Sequence, residues 1–145
     1  MRSRCLLLFA SVLLCPFSVS AQKCSEEFIR SNINNEDLKL VTKDTYFFSG
    51  ALEKPIVGIE ESKKTMEKGT PERKNEKWDQ NKLDRVVVSS SGDMAYAYGT
   101  QHARWDDASS GKHVDFTAAF LSVWRVDDGS CKVATTIYEP QGNKD

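Results

Sequence analysis

Three stretches in the second half of the chain alternate side chains with a period of two, the signature of half-buried strands. Residues 94–104 set Met94, Tyr96, Tyr98 and Thr100 on one side and Ala95, Ala97 and Gly99 on the other. Residues 114–126 line up Val114, Phe116, Ala118, Phe120, Ser122 and Trp124 on one face. Residues 131–138 make a further strand, and residues 85–89 a shorter one ahead of them all. Ser90-Ser91-Gly92-Asp93, residues 106–112 and Asp127-Asp128-Gly129 supply turn chemistry between them. The long strands therefore follow one another as an antiparallel meander.

The first half reads differently. Ser25 caps a helix with Glu26 and Glu27 at its positive end and Phe28, Ile29 and Ile33 on one side. Asn34-Asn35 breaks it, and Asn35 caps a second short helix carrying Leu38 and Val41. Tyr46-Phe47-Phe48 running into Ser49-Gly50 predicts a short strand, and residues 55–58 an extended or turning segment. Residues 59–68 predict a charged helix, stopped by Gly69-Thr70-Pro71. Residues 72–82, mostly charged or amide side chains around Trp78, read as a solvated loop. Helices first and sheet second is the order of an α+β fold, with the helices packed on one face of an antiparallel sheet.

The length, 145 residues, suits one domain. Arg2 and Arg4 precede an apolar run over residues 6–14, and Val19-Ser20-Ala21 puts small residues at the −3 and −1 positions of a cleavage site. That layout predicts a signal peptide over 1–21, cut before Gln22, leaving a single domain over 22–145 in the periplasm or outside the cell. The run is about half the roughly 20 residues a spanning helix needs, so no membrane contact is expected after cleavage. Arg2 and Arg4 leave with the leader, which moves the net charge from −1 to −3 and argues against nucleic acid as a partner. Cys5 and Cys15 leave too. Cys24 and Cys131 remain, and in an exported protein such a pair is expected as a disulfide, two unpaired thiols being the alternative.

Two runs carry a family resemblance: Ser91-Gly92-Asp93-Met94-Ala95-Tyr96-Ala97-Tyr98-Gly99-Thr100, and Phe120-Leu121-Ser122-Val123-Trp124-Arg125 with Asp128-Gly129 and Lys132-Val133 after it. Together they resemble the SnoaL-like branch of the nuclear transport factor 2-like superfamily, most closely the domain of unknown function 4440. Phe47-Phe48-Ser49-Gly50 and Val57-Gly58-Ile59-Glu60 are similar to that family's strand-turn and Gly-initiated helix. The resemblance implies an α+β cone, a curved antiparallel sheet wrapped against N-terminal helices, with an apolar pocket at its open end. The fold hosts isomerases, cyclases, dehydratases and binding proteins, so it leaves the activity open.

Proton transfer in such a pocket needs a carboxylate or imidazole, and the candidates are Asp93, His102, His113 and Asp115. Asp93 sits in a turn, where Asp usually serves the backbone. His113 and Asp115 share the strand face opposite Phe116, Phe120 and Trp124, which favours solvated side chains over a catalytic pair. No metal-ligand spacing, nucleophile motif or phosphate-cradling loop is present, so neither metal nor cofactor is expected. The aromatic residues weigh more. Trp78, Tyr96, Tyr98, Phe120 and Trp124 are the candidate ligand-binding residues of an apolar pocket. Ordinary core packing and a homodimer contact through the sheet are the other readings of the same pattern. The sequence thus points to an exported protein binding a small apolar molecule. The alternatives are an enzyme of acid–base isomerisation or hydration, and a dimeric accessory domain.

Overall fold

In the computed structural model the chain runs through helix α1 (Glu26–Asn32), a 3₁₀ turn (Leu38–Leu40), strands β1 (Val41–Ser49) and β2 (Ile56–Val57), helix α2 (Ile59–Lys68), and strands β3 (Arg73–Trp78), β4 (Lys82–Val88), β5 (Met94–Asp107), β6 (His113–Asp127) and β7 (Ser130–Gln141). The structure describes residues 22–35, 37–50, 52–68 and 72–141; the expected leader over 1–21 and the Gly69-Thr70-Pro71 helix stop lie outside them.

Seven strands form one curled sheet in the order β2-β1-β7-β6-β5-β3, with β4 also paired to β5. The meander β5–β6–β7 is antiparallel, as the tight turns between its strands require. One pair departs from the antiparallel expectation. β1 and β7 run parallel, which is open to them because a long stretch of chain, not a hairpin, joins them. Both helices lie on the sheet, α1 against β4 and α2 against β1 and β2. The architecture is α+β, as the order of elements implies.

Local chemistry explains the element boundaries. Ser25 Oγ accepts from the Phe28 N–H and starts α1, whose Ile29 is fully buried. Past its C-cap Ile33, the Asn34 side chain accepts from the Asn81 N–H at 2.6 Å, which ties the helix exit to the β3–β4 link. The next turn is capped by Asp37, whose carboxylate accepts from the Lys39 N–H, and Val41 already belongs to β1. The second helix capped by Asn35 is therefore a single 3₁₀ turn, because Thr42, Thr45 and Tyr46 favour an extended chain. Residues 72–82 also differ from expectation. They contain β3, an edge strand whose mostly exposed, charged side chains carry no apolar alternation.

The core sits between α1 and the strands, where Ile29, Val86, Ala95, Ala97 and Trp124 pack together. Cys24 and Cys131 form a disulfide with Cα atoms 5.1 Å apart, closing a separation of 107 residues. It fastens the start of α1 to the start of β7. The Cys24 N–H donates to Gly92 O and the Gln22 N–H to Gly129 O, so two turns hold the same segment. Gly92 adopts φ +72° in its turn, a conformation that glycine takes without strain.

Candidate functional site

A cavity of about 700 Å³ opens between the concave face of the sheet and the helical layer. Cross-strand partners share a face, so the β5–β6 register decides which side chains enter it. Ala95 pairs with Trp124, Ala97 with Ser122, Gly99 with Phe120 and Ala103 with Phe116. These pairs face inward, and three of the four set a small β5 residue opposite an aromatic ring of β6; between them Gln101, which also lines the cavity, stands opposite Ala118. β7 adds Thr136 and Tyr138, and β1 adds Phe47, whose ring lies 5.5 Å from that of Tyr138. Phe120 stands 6.0 Å from Tyr138 on its other side. The result is an aromatic wall.

The β3–β4 link closes one end. Trp78 lines the cavity edge-on to Phe116 at 6.5 Å. The Arg73 guanidinium lies 4.1 Å from the Trp105 ring centre and 5.8 Å from that of Trp78, and it donates to Glu76 at 2.7 Å. Asp79 follows at the rim, accepting from Arg104 and paired with His102 Nδ1 at 2.9 Å. Asn81 comes next, donating to the Ile33 carbonyl. Burial pushes the Tyr138 phenol above its ordinary pKa, and a hydrogen bond with Asn81 opposes part of that shift. At the floor, Ser122 Oγ and Trp124 Nε1 are buried with no hydrogen-bond partner among the described residues.

No protein-family model and no curated protein matches the sequence. Solved structures do match in shape. A ketosteroid isomerase-like protein from Erwinia carotovora atroseptica superposes with a TM-score of 0.59 at 16% identity, covering 79% of this chain and 85% of that one. A putative calcium/calmodulin dependent protein kinase II association domain from Xanthomonas campestris gives 0.60 at 16% identity, over 86% and 97%. A nuclear transport factor 2 superfamily protein from Salmonella enterica gives 0.52 at 15% identity, over 72% and 73%. The fold is nuclear transport factor 2-like.

Within the nuclear transport factor 2-like cone the candidate residues separate. Trp78, Phe120 and Trp124 line the cavity together. Tyr96 and Tyr98 do not. They pair with Val123 and Leu121 on the outer face, where they are 41% and 38% exposed. Strand parity is the reason: Tyr96 and Tyr98 alternate with the inward Ala95, Ala97 and Gly99, so they cannot share a face with Phe120 and Trp124.

The proton-transfer candidates are outside the cavity as well. Asp93 accepts from Ser89 Oγ and Ser91 Oγ in the β4–β5 turn, and these bonds hold its carboxyl below the usual range. That makes it a poor base. His113 bonds Asp106 at 2.9 Å near the β5–β6 turn, and Asp115 lies 3.6 Å from His102 Nε2 on the outer face. Sequence reasoning missed Asp79, since β3 and its link read as loop. No group of three or more His, Cys, Asp or Glu among the described residues is placed to hold a metal ion.

Proposed function

We propose that this chain binds a small, largely apolar molecule in its aromatic-walled cavity, as an exported member of the SnoaL-like branch, similar to the domain of unknown function 4440. The observation that carries the reading is the cavity itself. About 700 Å³ lies between Phe47, Phe116, Phe120 and Tyr138, and Asp93, His113 and Asp115 are all outside it. The Cys24–Cys131 disulfide supports an oxidising destination, and no described helix is long and apolar enough to cross a membrane. The exposed Tyr96, Tyr98, Leu121 and Ile137 on the outer face supply a surface against which a second copy would pair.

One observation favours an acid–base enzyme as the second reading. Asp79 borders the cavity, and its carboxylate is oriented by a hydrogen bond with His102 on the outer face. The similarity in shape to the ketosteroid isomerase-like protein from Erwinia carotovora atroseptica makes isomerisation the reaction to try first.

Protein recovered from the exported fraction, with a mass matching a start at Gln22, is the material for the test. Titration with the apolar fluorophore N-phenyl-1-naphthylamine should saturate at one molecule per chain. Phe120→Ala should weaken binding about tenfold, the effect of removing one apolar wall, while Tyr98→Ala leaves it unchanged. Equal binding by Phe120→Ala and the native chain would place the ligand elsewhere. Turnover of a ketosteroid that disappears in Asp79→Asn would replace the binding reading with the enzymatic one.

A further inference from the structure

We infer that the β3–β4 end of this cavity binds a neutral, polyhydroxylated head group of the sugar class, carried on the apolar ligand, with Gln80 and Gln101 taking its hydroxyls beside the Trp78 ring. The inference rests on the binding reading above and adds the chemistry of the ligand's outer end. Trp78 pairs with Ala103 on β5, and Lys82 pairs with Thr100. The link of Asp79, Gln80 and Asn81 therefore runs alongside His102 and Gln101, and the Asp79 N–H donates to the His102 carbonyl at 2.9 Å. That register brings Gln80 to the side of Gln101, and both line the cavity with Trp78. Gln101 is half-buried on the concave face, opposite the small Ala118. Neither glutamine side chain has a hydrogen-bond partner among the described residues.

Each of these amides offers two donors and an acceptor oxygen. A hydroxyl both donates and accepts, so two neighbouring amides suit adjacent hydroxyls, whereas a lone carbonyl would use their donors only. Trp78, 48% exposed at the same end, supplies apolar surface for the C–H face of a saturated ring. Charge narrows the head group further. The one cation among the described lining residues is Arg73, and it is already engaged by Glu76 and the indole faces of Trp105 and Trp78. Asp79 beside the amides repels an anion, and a cation finds that carboxylate already held by Arg104 at 3.2 Å. A neutral hydroxylated ring needs no counter-charge, and the apolar body it is joined to lies against Phe116 and Phe120.

Three probes with one apolar body test this: 2-naphthyl β-D-glucoside, 2-methoxynaphthalene and 2-naphthyl phosphate, titrated by calorimetry into the native chain, Gln101→Met and Gln80→Met. The glucoside should bind the native chain about tenfold more tightly than the methoxy compound, the net worth of one or two hydrogen bonds. That ratio should fall towards one in Gln101→Met, with the methoxy compound's own affinity kept within about twofold. Gln80→Met changes an exposed side chain of the link, so it reads the same ratio if Gln101→Met does not fold. Equal native affinities for the glucoside and the methoxy compound overturn the sugar inference and leave the binding reading standing. A glucoside preference that survives in both variants overturns the assignment to the two amides. Tighter binding of the phosphate overturns the uncharged head group. Failure of all three to bind removes the binding reading and this inference with it.

Discussion

The two faces of the β5–β6 hairpin are built from the same alternation and have opposite fates. Inward lie Ala95, Ala97, Gly99, Gln101 and Ala103, against Trp124, Ser122, Phe120, Ala118 and Phe116. Outward lie Tyr96 and Tyr98 against Val123 and Leu121. On a concave surface the side chains converge, so bulk on both strands would not fit. Large residues on one strand require small ones on the neighbour. The convex face diverges and accepts tyrosines on the first strand. Aromatic content alone therefore does not mark the inside of a curled sheet; the distribution of small residues does.

The sharpest way to break this comparison is to truncate one aromatic on each face. Trp124→Ala removes a buried ring that meets Phe28 edge-on at 6.2 Å beneath α1. The expected loss is about 3–5 kcal/mol in a urea titration, together with loss of the cavity floor. Tyr96→Ala, on the outer face, should cost less than about 1 kcal/mol and leave naphthylamine binding intact. If that face seats a second copy, Tyr96→Ala also lowers the mass seen by sedimentation at high concentration. Equal losses from the two variants would mean that the faces are not inside and outside.

Gly99 tests the other constraint on this strand, the close approach of β4, with a smaller effect. A Cβ added there would collide with the backbone carbonyl of Lys82, because β4 begins directly against it. Gly99→Ala should cost about 1–3 kcal/mol by the same titration, since backbone rather than a flexible side chain must give way. It should also displace the end of β3 and the link after it, which carry Trp78, Asp79 and Asn81, and so weaken ligand binding in step with stability. Unchanged stability would show that the link can shift freely, and that the cavity mouth is not set by β5.

Much of this was legible in the sequence, and the failures share a cause. α2 was fully legible from its charge pattern, and the long strands and their turns from alternation and Gly or Asp placement. The disulfide was legible as a pairing once Cys5 and Cys15, in the expected leader, were set aside. What was not legible was register. Moving Tyr98 from Leu121 to Phe120 is a slip of one residue, and one residue exchanges the two faces. Gly99 held the missing signal, because a glycine interrupting a strand marks close approach of another backbone. β3 left no signal, since an edge strand with both faces near solvent needs no apolar period. Asp79 was hidden with it.

The smallest expected effect lies in the polar cluster at the outer rim of the hairpin. Asp106 accepts from Asn75 Nδ2 at 2.7 Å and pairs with His113 Nδ1 at 2.9 Å. The Asn75 bond first and then His113 hold its carboxyl below the usual carboxylate range. A carboxyl whose folded pKa is depressed stabilises the fold above its unfolded value, and that contribution is lost as pH falls through the folded value. Asn75→Ala should therefore move the onset of acid unfolding, followed by tryptophan fluorescence below about pH 4, to higher pH. His113→Ala should move it less, because its hydrogen bond ranks second and an exposed pair is screened by solvent. Neither change should alter naphthylamine affinity at neutral pH, since Asp106 and His113 are both outside the cavity. A loss of affinity in His113→Ala without any shift of the acid onset would reverse the assignment, making the outer rim the functional surface and the aromatic cavity a packing feature.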